Sequence, residues 1–391
     1  MRKIAADLVL PVSAAPIPKG LVIIDEHGKI LEIGTQSAHD PASIERYSGV
    51  LVPGFINTHC HLELSHMKGK VDTGTGLLPF LVSVVSFRDI AQEEILEAIE
   101  QADQEMYKNG IVAVGDISNK ADTAGTKENS PIRYYTFVEM FDFLQDDKAK
   151  ATFDGYYEVY EQQSENGKNR KSCVPHAPYT VSPYLFELIR NINPEDCTVS
   201  IHNQETRHED EFFLHKSGGF VGFMNSFGVS LDHFEATEKT SIHYAIEHLN
   251  RHQRTIFVHN TQTQTEDIRA AMAWNPDVYW ATCPNANLYI ENRLPNYKHF
   301  LDEKAKMTIG TDSLTSNWQL SVLEEMKTIA LYQSYVPFEE ILRWATLNGA
   351  EALGFEDELG SLEVGKKPGI NLLDLDRSLQ LTADTKVKRL V

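Results

Sequence analysis

The chain has 391 residues, and Lys+Arg 36 against Asp+Glu 56 leave a formal net charge of −20. Hydrophobic residues at 42% and charged residues at 24% are ordinary for a globular enzyme, which excludes disorder as a description of the whole chain. So negative a charge repels phosphate backbones and anionic lipid, so a small-molecule substrate is expected, with no nucleic acid and no membrane among the partners.

At about 100–200 residues per domain, the length fits two or three domains or one large barrel with attachments. The four cysteines, Cys60, Cys173, Cys197 and Cys283, are far apart and form no CxxC, so they build no disulfide framework. They point to a reducing compartment, the cytoplasm. Met1-Arg2-Lys3 and the apolar residues after it have the outline of a signal peptide, but Asp7 and Pro11 interrupt the apolar region such a peptide needs. No window reaches the roughly 20 apolar residues of a spanning helix.

In chain order, residues 21–24 and 30–34 read as a hairpin around the turn residues 25–28. Residues 360–376 repeat that short, glycine-punctuated style, so a small sheet built from both ends is expected. The middle alternates apolar runs with amphipathic stretches. Strands are read at 50–59, 111–118, 134–140, 172–178, 199–205, 255–260, 278–283 and 307–312. Residues 93–110 have helical spacing with Gly110 as the stop, and 182–192 starts with a Ser cap and a Pro at the first helical position. Strands alternating with helices imply a parallel sheet, and eight is the number that closes a barrel.

His59 and His61 close the first of these strands, where residues i and i+2 point the same way, so both imidazoles face one side. Two converging imidazoles suit a borderline metal such as zinc. His202 closes the fifth strand, His259 the sixth and Asp312 the eighth. All stand at the C-terminal strand ends, the face on which barrel active sites are built.

In these residues the chain resembles the amidohydrolase superfamily, in its metal-dependent aminohydrolase branch of chlorohydrolases and purine deaminases. LVPGFINTHCHLE (51–63), HNQE (202–205), CPNANL (283–288), GTDSLTSN (310–317) and SLEVGKKPGINLLDLD (361–376) carry the resemblance in order along nearly the whole chain. It implies an α/β fold, a (β/α)8 TIM-type barrel over 51–357 with a small β-sandwich formed by 1–50 and 358–391. It also implies one divalent metal ion, zinc first and iron as the alternative, held by His59, His61, His202 and Asp312. His259 would hydrogen-bond the attacking water or act as a further ligand, Asp312 would accept a proton, and Glu205 would shuttle protons to a ring nitrogen as ammonia leaves. A homodimer is a family expectation.

Binuclear members of the superfamily place a modified lysine at the end of the fourth strand. Here that position is His176 and Lys171 precedes the strand, which favours a single metal and a deaminase. His176 resembles a substrate-contacting histidine of the deaminase branch. The stretches 62–66, 75–85 and 313–326 are similar to those of aminofutalosine deaminases. Where adenosine-type relatives carry a glutamate that grips the ribose hydroxyls, this chain has Leu78 and Pro79. Glu63 is the candidate replacement, with orientation of a metal histidine as its other reading, and Trp318 is a candidate wall for a flat ring. A carboxylated substrate would want a cation, for which Lys68, Arg88 and Arg207 are available. The alternatives are a same-fold hydrolase of another leaving group or ring, of chlorohydrolase or imidazolonepropionase type, and a non-catalytic metal-binding scaffold. Intact Glu205 and His259 speak against the scaffold.

Overall fold

A computed structural model describes residues 1–376 and 378–391. Eight strands form its centre: β1 (Phe55–Cys60), β2 (Ile111–Ser118), β3 (Arg133–Met140), β4 (Arg170–Pro175), β5 (Thr198–Asn203), β6 (Arg254–His259), β7 (Val278–Thr282) and β8 (Lys306–Ile309). They make two four-stranded sheets, β4-β3-β2-β1 and β5-β6-β7-β8, in which every neighbouring pair is parallel. Four of these strands are buried along their whole length and the other four in all but their first one or two residues, as parallel strands covered on both faces are.

Backbone bonds also run between the two sheets. The His202 N–H donates to the His176 carbonyl (2.9 Å), and the Thr311 and Asp312 N–H groups both donate to the His59 carbonyl (3.0 Å each). Cys60 and Asp312 form a parallel bridge.

Alternate residues of the strands fall into separate apolar clusters, as a period of two requires. Ala113, Phe137, Ile256, Val258 and Ala281 pack together and are joined by Leu353, Phe355 and Leu359. Their neighbours Val114, Val138, Phe257 and Trp280 pack in the larger cluster with the helices. The helix Gln92–Lys108 buries Ile95, Ile99, Ala102 and Met106 and ends at Gly110, whose φ is +81°. A Cβ there would also stand 2.4 Å from the Asn371 side chain, so only glycine fits. The helix Pro183–Ile192 begins with the Ser182 hydroxyl accepting from the Leu185 N–H, the cap its sequence calls for.

The strand expected at 50–59 is broken in two. Val50–Pro53 belongs to a different sheet, and the chain turns at Gly54 before β1. Gly54 donates its N–H to the Pro368 carbonyl (3.1 Å), and a Cβ there would lie 2.3 Å from Val112. The close approach of the C-terminal segment is the physical reason for the break, and a run of apolar residues does not reveal it.

Strands from both ends of the chain meet as expected. Val50–Pro53 pairs with Ile370–Leu373 on one side and with Leu8–Val9 on the other, within a five-stranded sheet. A four-stranded sheet in the order Ile30–Thr35, Gly20–Ile24, Arg2–Ala5, Glu45–Arg46 lies beside it in sequence. Among the described residues no helix is long and apolar enough to cross a membrane.

Candidate active site

The C-terminal strand ends bring the predicted residues together. His59 and His61 leave β1 with their Nε2 atoms 3.2 Å apart. Asp312, three residues beyond β8, places Oδ1 3.4 Å from His61 Nε2 and 3.7 Å from His59 Nε2. Its Oδ2 accepts a hydrogen bond from the Ser316 hydroxyl at 2.6 Å, which fixes the carboxylate plane. His202, from β5, completes a group in which His59, His61 and His202 each offer a ligand atom within 4.8 Å of the others.

The donor set fits a metal. Two ligands each about 2.0–2.1 Å from a tetrahedral zinc stand roughly 3.3–3.4 Å from one another. The observed separations of 3.2, 3.4 and 3.7 Å bracket that value. Burial lowers His59 and His61 to about 4, so both imidazoles are neutral, which is the ligating form. Burial alone would push Asp312 up, but the nearby His59, His61 and His259 imidazoles hold it well below the usual carboxylate range.

His202 has a partner that sequence reading missed. Its Nδ1 lies 2.9 Å from the His176 carbonyl and 3.3 Å from Glu139 Oε1, leaving Nε2 as the free ligand atom. Against the effect of burial, the Glu139 carboxylate raises His202, so a metal must displace a proton from its Nε2, while His176 and His202 hold Glu139 low against its own burial. Carboxylates behind metal-binding histidines fix ring orientation and tautomer in this way. The available signal was a lone acid, Glu139, near the end of β3, at the same height as the histidines of β1 and β5.

Glu205 is buried, and its Oε1 lies 3.8 Å from His259 Nε2. Burial raises it to about 8, with His202 pulling the other way and Asp312 adding to the rise, so at neutral pH it holds a proton. Its backbone is fixed: the Gln204 and Glu205 N–H groups donate to the two carboxylate oxygens of Glu209 (2.9 and 3.1 Å), and the Thr261 hydroxyl donates to the Glu205 carbonyl (2.6 Å). His259 Nδ1 lies 2.8 Å from Asn287 Oδ1, which accepts its proton and leaves Nε2 unprotonated toward Glu205. Burial lowers His259 to about 4 and keeps it neutral. Gln204, His259 and Asp312 have φ of +46°, +74° and +56°, left-handed values that non-glycine residues adopt at a cost of about 1–3 kcal/mol and keep at functional sites.

The turn after His61 is held from below. The Leu62 N–H donates to Asp116 Oδ1 (2.7 Å), and Asp116 Oδ2 is paired at 2.5 Å with Lys127, which is fully buried and also reaches Ser118 and Thr136.

A cavity opens over this cluster and is lined by His61, His202, Glu205, His259 and Asp312 at its polar floor. His176 lines it as well; its Nδ1 meets the Thr180 hydroxyl at 2.7 Å and its ring lies 4.8 Å from that of His202. The two other expected substrate contacts are not in the wall. Glu63 is buried beneath it, with Oε2 accepting from the Asn119 and Lys120 N–H groups (2.9 and 3.0 Å) and Oε1 3.5 Å from Arg88. Burial raises this carboxyl to about 7 against those partners. Its oxygens are occupied inside the protein, so none is left for a sugar diol. Trp318 is 50% exposed and packs near Tyr289 outside the cavity.

Residues 50–390 match the model of the amidohydrolase family. The chain belongs to that family. Among its relatives, an adenosine deaminase of Helicobacter pylori is 27% identical over 362 residues, covering 90% of this chain and 86% of the relative. An aminodeoxyfutalosine deaminase of Nitratiruptor is also 27% identical, covering 86% of this chain and 82% of the relative. A solved structure of a Xanthomonas campestris adenosine deaminase with bound zinc superposes with a TM-score of 0.75 at 24% identity, over 98% of this chain and 86% of the other. That likeness is one of fold.

Proposed function

We propose that the chain is a metal-dependent hydrolytic deaminase that releases ammonia from an amino-substituted purine nucleoside. The observation that carries this reading is geometric: the buried Glu205 carboxyl lies 3.8 Å from His259 Nε2, beside the His59–His61–Asp312 donor set. The deaminase relatives support it over most of the chain. The resident ion is zinc on the chemistry of three imidazoles and one carboxylate. When bound, it lowers the pKa of a water toward about 7. His59, His61, His202 and Asp312 would hold it, with Glu139 and Ser316 orienting two of those residues.

The remaining steps belong to side chains. His259 Nε2 accepts a hydrogen bond from the attacking water, and Asp312 takes that water's proton as its oxygen bonds to the ring carbon bearing the amino group. Glu205 gives its proton to the adjacent ring nitrogen, which receives the electron pair. Return of a proton from Asp312 to the amino group lets it depart as ammonia with the electron pair of the C–N bond, and the hydroxyl proton released as the carbonyl forms restores Glu205. The eight strands close as a (β/α)8 barrel that begins at Phe55 rather than at 51, since Val50–Pro53 lies in the terminal sheet, and the terminal sheets form the accompanying β-sandwich; the bonds from the Thr311 and Asp312 N–H groups to His59 support the closure. Four buried, unpaired cysteines support a cytoplasmic location.

The test is ammonia release by zinc-loaded protein from a panel of aminopurines and their nucleosides. Release from a nucleoside supports the reading. Silence across the panel with metal bound would replace it with the ring-opening or dehalogenating chemistry of the same family.

A further inference from the structure

Glu325 stands on the helix Val322–Tyr332, fully buried, and lines no part of the cavity. Neutral donors hold it. Its Oε2 accepts from the Asn285 N–H (2.8 Å), and its Oε1 accepts from the side-chain amides of Asn285 (2.9 Å) and Asn317 (2.8 Å). Neither amide is free to turn. Asn317 Oδ1 accepts from the Trp318 N–H (2.8 Å) while its Nδ2 also donates to the Thr311 carbonyl (2.8 Å), and Asn285 Oδ1 accepts from the Thr328 hydroxyl (2.6 Å). Every group facing Glu325 therefore donates, and only a carboxylate offers acceptors on both oxygens.

Two arms leave this carboxylate, and each ends at a working side chain. Through Asn317 it reaches the carbonyl of Thr311, the residue before Asp312; the Thr311 N–H and hydroxyl are held in turn by the Asn57 amide (3.0 and 2.8 Å). Through Asn285 it grips the first turn of the helix Pro284–Glu291, whose Asn287 accepts from His259 Nδ1 at 2.8 Å. Asp312 follows β8 and His259 ends β6, so the two are not strand neighbours. Both keep left-handed φ, +56° and +74°, which persists only where the surroundings over-determine it. Glu325 is where the supports of the two meet.

We propose that Glu325 is a positioning residue that holds the Asp312 carboxylate and the His259 imidazole in one register, so that both meet the same attacking water. It touches neither substrate nor that water; it acts through Asn317 on one side and through Asn285 and Asn287 on the other. The roles of Asp312 and His259 toward the water rest on the deaminase reading, whereas the register itself does not.

The experiment measures kcat, KM and zinc content for wild type, Glu325→Gln, Asn317→Ala and the double variant on the best nucleoside of the panel, together with the visible absorption of the cobalt-substituted proteins. Glu325→Gln keeps the shape but turns one acceptor into a donor facing donors, so at least one arm must open. It is expected to lose about 10- to 100-fold in kcat, the scale of a misplacement of about 1 Å, with KM little changed and zinc retained. Its cobalt spectrum is expected to shift as Asp312 moves. The double variant is expected to lose no more than the worse single variant, as residues on one path do. A folded, zinc-loaded Glu325→Gln with kcat within a few-fold of wild type, a loss explained by missing zinc alone, or losses that multiply in the double variant would overturn the proposal. If Glu325→Gln does not fold, Asn317→Ala decides: a lower kcat with zinc bound supports the register, and an unchanged kcat overturns it. A cobalt spectrum that shifts in Glu325→Gln, with no ammonia from any nucleoside in the wild type, would keep the positioning role and retire the deaminase reading.

Discussion

Glu139 Oε1 lies 3.3 Å behind His202 Nδ1, so that a buried carboxylate on β3 faces the imidazole of the metal ligand on β5. Neither residue is near the other in sequence, and the contact ties two strands of different sheets at the floor of the cavity. Replacing Glu139 by Gln keeps the shape and removes the charge. Metal affinity, measured by chelator competition, is expected to fall about 10- to 100-fold, as for other partners of metal-binding histidines. Unchanged affinity would show that the His176 carbonyl alone orients His202.

Gly310 packs against the metal site. A Cβ there would lie 2.7 Å from the His59 Cβ, 2.9 Å from Cys283 Sγ and 3.0 Å from the His59 carbonyl. Gly310→Ala must therefore displace the first ligand or the β8 end. The expected result is a lower melting temperature together with weaker zinc binding, the latter read by metal content after dialysis. Full zinc occupancy in a stable variant would mean that the floor yields more easily than its packing suggests.

Glu209 links pH to stability. Burial raises it to about 8 although the Ser241 hydroxyl and the Gln204 and Glu205 N–H groups favour its ionised form. Its folded pKa thus lies above the unfolded value of about 4.3. Between those values the folded state binds more protons than the unfolded state, so the stabilisation present at low pH is lost as pH rises through about 8. Glu209→Gln should flatten the decline in denaturation midpoint of the metal-free protein between pH 5 and pH 8, on the order of one proton's worth of slope. An identical slope in wild type and variant would contradict the assignment.

Asn287 fixes the tautomer of His259 through the 2.8 Å contact at Nδ1. Asn287→Asp keeps an acceptor, whereas Asn287→Leu removes it. Turnover is expected to fall at least tenfold in the Leu variant with zinc content retained, and to survive better in the Asp variant. Equal loss in both would point to packing rather than tautomer.

Much of this site was legible in the sequence because strand-end chemistry is local. His59 and His61 share a face by the period of two, and His202, His259 and Asp312 stand at or just past apolar strands whose ends are visible as changes in composition. Glu139, Ser316, Asn287 and Glu209 were not legible, since each acts by a contact across the fold and each is an ordinary polar residue in its own segment. The same limit explains Glu63, an acid next to the ligands in sequence whose oxygens are taken by the Asn119 and Lys120 amides. The break at Gly54 depends on Pro368, more than three hundred residues away, and no local pattern announces it.

The central claim is that Glu205 moves the proton that commits the ring to deamination. The most direct measurement pairs zinc content with ammonia release for wild type and Glu205→Gln on the best nucleoside of the panel. The account predicts full zinc in both proteins and a loss of at least about 100-fold in kcat for the variant, the low end of general acid catalysis. Turnover within a few-fold of wild type, with zinc bound, would contradict it.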